Sequence, residues 1–114
     1  MSEDVKEFYK DFKRSMGQMQ QEAGDTVSGF MGLFKNVMGE GELSVAEKEA
    51  VALGIAVAVQ CKECVRLHVK KSLDAGLSRE QIMEAAGVAV MMSGGPAYTH
   101  LPDVLKSLDA CEED

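Results

Sequence analysis

A cysteine pair and a histidine stand close together in Cys61-Lys62-Glu63-Cys64-Val65-Arg66-Leu67-His68. Residues three and four apart share one face of a helix, so Cys61 and Cys64 can close a disulfide while Cys64 and His68 stand side by side. The spacing makes a redox-capable thiol pair the neighbour of a base. A thiol of ordinary pKa, about 8.5, is mostly protonated at neutral pH, and an imidazolium or the positive end of a helix raises its thiolate fraction. His68 and a helix start near Cys61 are the two candidates for that effect. An imidazole acts best as a base when a carboxylate orients its second nitrogen and stabilises the protonated ring. Glu47, Glu49 and Glu63 are all within reach on spacing alone, and the choice depends on how two helices cross.

Other uses of the same residues stand beside this one. Free cysteines also behave as small hydrophobes in a core. Two thiolates, an imidazole and a carboxylate can hold zinc or iron, although no second C-x-x-C or H-x-x-H completes a structural zinc motif. Glu49 alone reads as a first-turn carboxylate favoured by the helix dipole. Cys111, in the acidic Cys111-Glu112-Glu113-Asp114 tail, reads as an exposed bystander on a frayed end. Tyr98 and His100, after a Gly-Gly-Pro break, read as packing residues.

The 114 residues suit one domain, and 46% hydrophobic with 27% charged residues excludes collagen-like, low-complexity and disordered chains. A formal charge of -7 argues against nucleic acid and against an anionic membrane surface as partners. The longest nearly uncharged apolar run, Ala50 to Val59, falls far short of the roughly 20 residues a membrane-spanning helix needs. The acidic start Met1-Ser2-Glu3-Asp4 has no signal-peptide character, so the expected location is the cytoplasm. Three cysteines in a reducing compartment do not make a structural disulfide framework, which again directs attention to the close pair.

The elements that must position this pair are all helical. Val5, Phe8, Phe12, Met16 and Met19 recur at helical steps over residues 3–22, with Gly24 and Asp25 as the stop. Val27, Phe30, Met31, Phe34 and Met38 repeat the pattern from Thr26 to Met38, and Gly39-Glu40-Gly41 ends it. Residues 1–40 thus read as a helical hairpin, and residues 41–114 as the core that carries the redox site. Ser44-Val45-Ala46-Glu47 has the capping-box form and opens a third helix, apolar on nearly every side through Val59. A fourth helix holds Cys61 to Ala75 and closes at Gly76, though its start lacks a Gly or Pro marker. Ser78-Arg79-Glu80-Gln81 is a second capping box, opening a helix that runs to Met92 before Ser93-Gly94-Gly95-Pro96 breaks it. A sixth helix starts at Pro96 and is made irregular early on by Pro102. The expected architecture is an all-α, single-domain bundle of about six helices. Two nearly all-apolar helices exceed what so short a chain can cover, which points to a homo-oligomer, and the eight methionines read as core or interface filling.

Glu49, then Cys61, Cys64 and His68, with Ala75-Gly76-Leu77-Ser78 and Gly94-Gly95-Pro96-Ala97 beyond them, resemble the carboxymuconolactone decarboxylase superfamily and within it the alkylhydroperoxidase D (AhpD)-like branch. The resemblance covers residues 40–100 and selects Glu49 among the three carboxylates. It implies an all-helical fold assembled as trimers or hexamers. By the same resemblance Cys64 is the nucleophile, Cys61 resolves it, and His68 with Glu49 forms a proton relay. No bound cofactor is implied, because an external dithiol, protein or small molecule, supplies the electrons. Peroxidase members of the branch carry a histidine directly before the second cysteine, where this chain has Glu63, and a carboxylate there disfavours the thiolate. The activity expected is therefore disulfide reduction, with alkyl hydroperoxide reduction beside it. The alternatives are a metal-binding or scaffold protein using the same four residues, and a lactone decarboxylase, whose chemistry needs no redox cysteine pair.

Overall fold

The computed structural model describes residues 4–112 and is all-helical among them. Its elements are α1 (Val5–Glu22), α2 (Gly24–Met38), α3 (Val45–Ala58), α4 (Lys62–Asp74), α5 (Arg79–Ser93), the single turn α6 (Gly95–Tyr98) and α7 (Leu101–Glu112). Residues 1–3 of the expected hairpin and the last two residues of the acidic tail lie outside the described residues.

The helix starts follow local chemistry. Asp4 accepts from the amides of Lys6 and Glu7 and caps α1. Ser44 and Glu47 close one capping box and Ser78 and Gln81 another, each satisfying two amides that a helix start otherwise leaves unpaired. α2 begins two residues before the Thr26 start expected from periodicity. The break falls on Ala23 instead, whose amide closes α1 onto Met19 and whose carbonyl accepts from Val27 to open α2.

The core is built by α3, α4, α5 and α7. Leu53 and Val57, Val65 and Val69, Ile82 and Ala86, and Val104 and Leu108 interdigitate there with no exposure, and Ala97 of α6 joins them. Removing a Val, Leu or Ile side chain from water contributes about 1.5–3 kcal/mol, so these positions dominate the fold. α3 and α5 pack against each other at Gly54, where a Cβ would stand in ordinary van der Waals contact, 3.7 Å, with the Ala85 carbonyl.

α3 is helical through Ala58, but only one of its apolar sides is covered. Val51, Ile55 and Val59 are 55%, 57% and 64% exposed, and on α5 Val88, Met91 and Met92 form a second bare set. α1 and α2 each bury a single residue, Val5 and Val27. Met19, Met31, Met91 and Met92 are exposed, so within one chain these methionines do not fill the core.

The segment after Gly94 differs from the single helix expected to start at Pro96. Gly94 takes φ 75° and ψ −150°, a combination essentially restricted to glycine, and turns the chain sharply into α6. Pro102 has no amide to give to residue 98 and its ring would clash with that carbonyl, so a continuous helix from 95 to 112 is forbidden. The chain turns at Thr99–His100 and restarts as α7, where Pro102 is tolerated in the first turn. α7 then runs on through the start of the expected frayed tail. Cys111 is half-buried on it, 3.6 Å from the Tyr9 hydroxyl, rather than an exposed bystander. Tyr9 in turn donates to the Arg66 carbonyl at 2.6 Å, which ties α1 to α4 and α7. Burial, reinforced by the Cys111 side chain, pushes the Tyr9 phenol well above its usual range.

Candidate redox site

The turn between α3 and α4 places the cysteines. The Cys61 amide reaches back to the Ala56 carbonyl and the Gln60 amide to that of Val57, the paired bonds of a Schellman motif closing α3. The residue at its left-handed position is usually glycine; here it is Gln60, at φ 61°. That substitution is why no glycine or proline marks the boundary in the sequence. Cys61 therefore leaves one helix and caps the next, and its Sγ accepts from the Cys64 amide at 3.2 Å. Cys61 lies at the mouth of α4 and Cys64 in its first turn. The two are joined as a disulfide, with Cα atoms 5.2 Å apart.

His68 follows one turn after Cys64, its side chain 19% exposed. Its Nδ1 lies 2.7 Å from Oε1 of Glu49, a carboxylate 5% exposed on α3. A carboxylate can only accept, so the shared proton belongs on Nδ1, and Nε2 is the nitrogen left for proton transfer. The helix crossing also resolves the choice among the three glutamates. Glu47 is spent on the capping box, accepting from the Ser44 amide at 2.8 Å, and Glu63 is exposed in the first turn of α4. Only Glu49 is turned inward, because it shares the buried face of α3 with Leu53, Ala56 and Val57. A buried carboxylate is costly without a partner, and His68 is that partner.

Among the described residues no group of three or more His, Cys, Asp and Glu side chains comes together as a metal-holding cluster. His100 stands apart from the site and pairs with Asp103 at 3.2 Å. Sequence reasoning did not connect three further residues, Phe34, Lys71 and Lys48, with the site. The Phe34 ring of α2 lies near-parallel to the His68 ring, centroids 6.5 Å apart, and Lys71 Nζ sits 4.9 Å from the Phe34 centroid. Lys48, next to Glu49, donates to the carbonyls of Val37 and Gly39, both at 2.7 Å. Phe34 reads as one more apolar position of an amphipathic helix, and only the packing of α2 brings it to His68.

The site is thus a C-x-x-C disulfide at a helix start of an all-helical bundle, with a buried carboxylate–histidine pair one turn on. Residues 24–107 match the carboxymuconolactone decarboxylase family, and the chain belongs to that family. It is 31% identical over 110 residues to an uncharacterized protein of Cupriavidus necator, covering 96% of this chain and 97% of that one. The crystal structure of a carboxymuconolactone decarboxylase family protein from Legionella pneumophila superposes with a TM-score of 0.85 at 29% identity, covering 98% and 97% of the two chains. A more distant similarity, 30% identity over 64 residues, is to the alkyl hydroperoxide reductase AhpD of Corynebacterium kroppenstedtii. That match takes in 56% of this chain and 37% of the AhpD. No helix among the described residues is long and apolar enough to cross a membrane.

Proposed function

We propose that this chain is a thiol-disulfide oxidoreductase that cycles Cys61 and Cys64 between dithiol and disulfide. The observation that carries the reading is the conjunction on one helix of the Cys61–Cys64 disulfide and, one turn on, a histidine bonded to a buried glutamate. In the reduced protein His68 takes the Cys64 proton through Nε2, and Glu49 stabilises the resulting imidazolium. The Cys64 thiolate attacks a substrate disulfide, forming a mixed disulfide and expelling one substrate thiol. Cys61 then attacks Cys64, releasing the second thiol and closing the protein disulfide. An external dithiol restores the reduced pair and leaves as its own disulfide. When that dithiol attacks Cys64, the departing Cys61 thiolate is received by the Cys64 amide that its sulfur already accepts from.

The similarity to AhpD favours a second electrophile, an alkyl hydroperoxide. Here the Cys64 thiolate takes the outer peroxide oxygen, becoming a sulfenic acid and releasing an alcohol once the alkoxide is protonated. Cys61 then condenses with the sulfenic acid, giving the disulfide and water. Neither cycle needs a bound cofactor, and both need a supply of dithiol, which suits the cytoplasm. The bare apolar faces of α3 and α5 fit burial between copies of the chain, in a trimer or hexamer.

The test is steady-state reduction of a disulfide and of an organic hydroperoxide with excess dithiol, comparing the protein with Cys64→Ser. Turnover that disappears in the variant supports the reading. Equal rates in the two proteins overturn it.

A further inference from the structure

The relay histidine is held by more than its carboxylate. Among the described residues the His68 ring has one hydrogen bond, to Glu49, and a ring held at a single atom still rocks about that bond. A second constraint comes from α2, a helix that contributes nothing to the main core and buries only Val27. We infer that Phe34 is a positioning residue for His68, its ring forming an apolar wall that fixes the imidazole plane and keeps water from competing for Glu49. This inference rests on the reading of His68 as the base of the redox pair.

Three contacts carry it. The two rings are inclined by only 26° with centroids 6.5 Å apart, inside the range of offset aromatic stacking. Lys71, three residues beyond His68 on α4, places Nζ 4.9 Å from the Phe34 centroid, so α4 grips the same ring a second time. Lys48 ties down the end of α2 by donating to the carbonyls of Val37 and Gly39, one turn past Phe34, which a helix terminus otherwise leaves unpaired. Lys48 is the chain neighbour of Glu49. The same turn of α3 therefore supplies the carboxylate that orients His68 and the ammonium that anchors the helix bearing Phe34.

The experiment compares wild type with Phe34→Ala and Phe34→Tyr, each also made in a His68→Ala background, after thermal melts establish that every variant folds. The full chain is reduced, and Cys64 alkylation by iodoacetamide is followed against pH. The histidine rings are observed by nitrogen-15 NMR. With two histidines in the chain, His100 serves as the internal reference. Phe34→Ala is expected to slow alkylation near neutral pH by about two- to tenfold, the range of one aromatic pair. It is expected to speed solvent exchange of the His68 Nδ1 proton by a similar factor and to leave His100 unchanged. Phe34→Tyr restores both readouts, and Phe34→Ala costs nothing further once His68 is alanine. Unchanged His68 exchange in Phe34→Ala overturns the inference, as does an equal loss of alkylation in the His68→Ala background. If His68→Ala itself leaves alkylation unaltered, the base assignment fails, while the ring signals still decide whether Phe34 holds the histidine.

Discussion

Replacing Glu49 in a graded series separates its electrostatic contribution from its packing. Its Oε1 is 2.7 Å from His68 Nδ1, and the carboxylate is 5% exposed, so the bond is shielded from water and salt. A hydrogen bond to a charged group contributes about 1.5–3 kcal/mol, roughly twice a neutral one. Glu49→Gln keeps the shape and an acceptor but loses the charge, and forfeits about half of that, a fall of about three- to tenfold in Cys64 alkylation near neutral pH. Glu49→Ala also removes the acceptor and leaves the imidazole N–H unpaired in a mostly buried place, for a loss of about ten- to a hundredfold. Both variants displace the alkylation profile to higher pH, because less imidazolium stands beside the thiol to favour thiolate. Stability responds differently: a buried charge is costly to desolvate, so Glu49→Gln stays within about 1 kcal/mol of wild type. The assay is alkylation of the reduced protein from about pH 6 to 9, alongside denaturant unfolding, a range that brackets an ordinary thiol. Alkylation by Glu49→Ala within twofold of wild type at every pH would refute the relay.

Other outcomes follow from the same structure. Cys64→Ser is expected to abolish turnover and low-pH alkylation, whereas Cys61→Ser reacts once and stops as a mixed disulfide or sulfenic acid, as mass spectrometry of the trapped protein will show; equal low-pH reactivity of the two would sink the assignment of nucleophile and resolver. Burial first, then Cys111, raises the Tyr9 phenol above its unfolded value of about 10, so the folded state favours the neutral form. That contribution is complete below about pH 10 and is lost as pH rises from there toward the folded value, because the unfolded chain releases its proton first. Tyr9→Phe should flatten the alkaline fall in Tm while costing about 1 kcal/mol at neutral pH for the lost bond to the Arg66 carbonyl. An alkaline slope identical to wild type would assign the loss to other groups. Gln60 occupies a left-handed position at φ 61°, so Gln60→Gly should change stability by less than about 1 kcal/mol in either direction, and the β-branched Gln60→Val should cost more than about 1 kcal/mol. Valine tolerated as well as glycine in a thermal melt would mean the turn relaxes away from the Schellman geometry.

Much of this protein is determined within a few residues along the chain. The capping boxes at Ser44 and Ser78, the glycine stop at Gly76 and the spacing of Cys61, Cys64 and His68 are local relations, and each is legible because helix starts, helix ends and helix faces depend on neighbours up to four residues away. The α3–α4 boundary is equally local, yet it has no visible marker, because Gln60 carries a backbone conformation usually written as glycine. The choice of Glu49 over Glu47 and Glu63 is of another kind. Those three glutamates are interchangeable by spacing, and family resemblance could select among them, but the physical discrimination comes from which face of α3 is pressed against α4. The placement of Phe34 against His68, of Lys48 on the end of α2 and of Cys111 beside Tyr9 joins residues from 9 to 102 positions apart. Contacts at such separations are set by how amphipathic helices cross, and a helix face records only that a side chain packs, not against what.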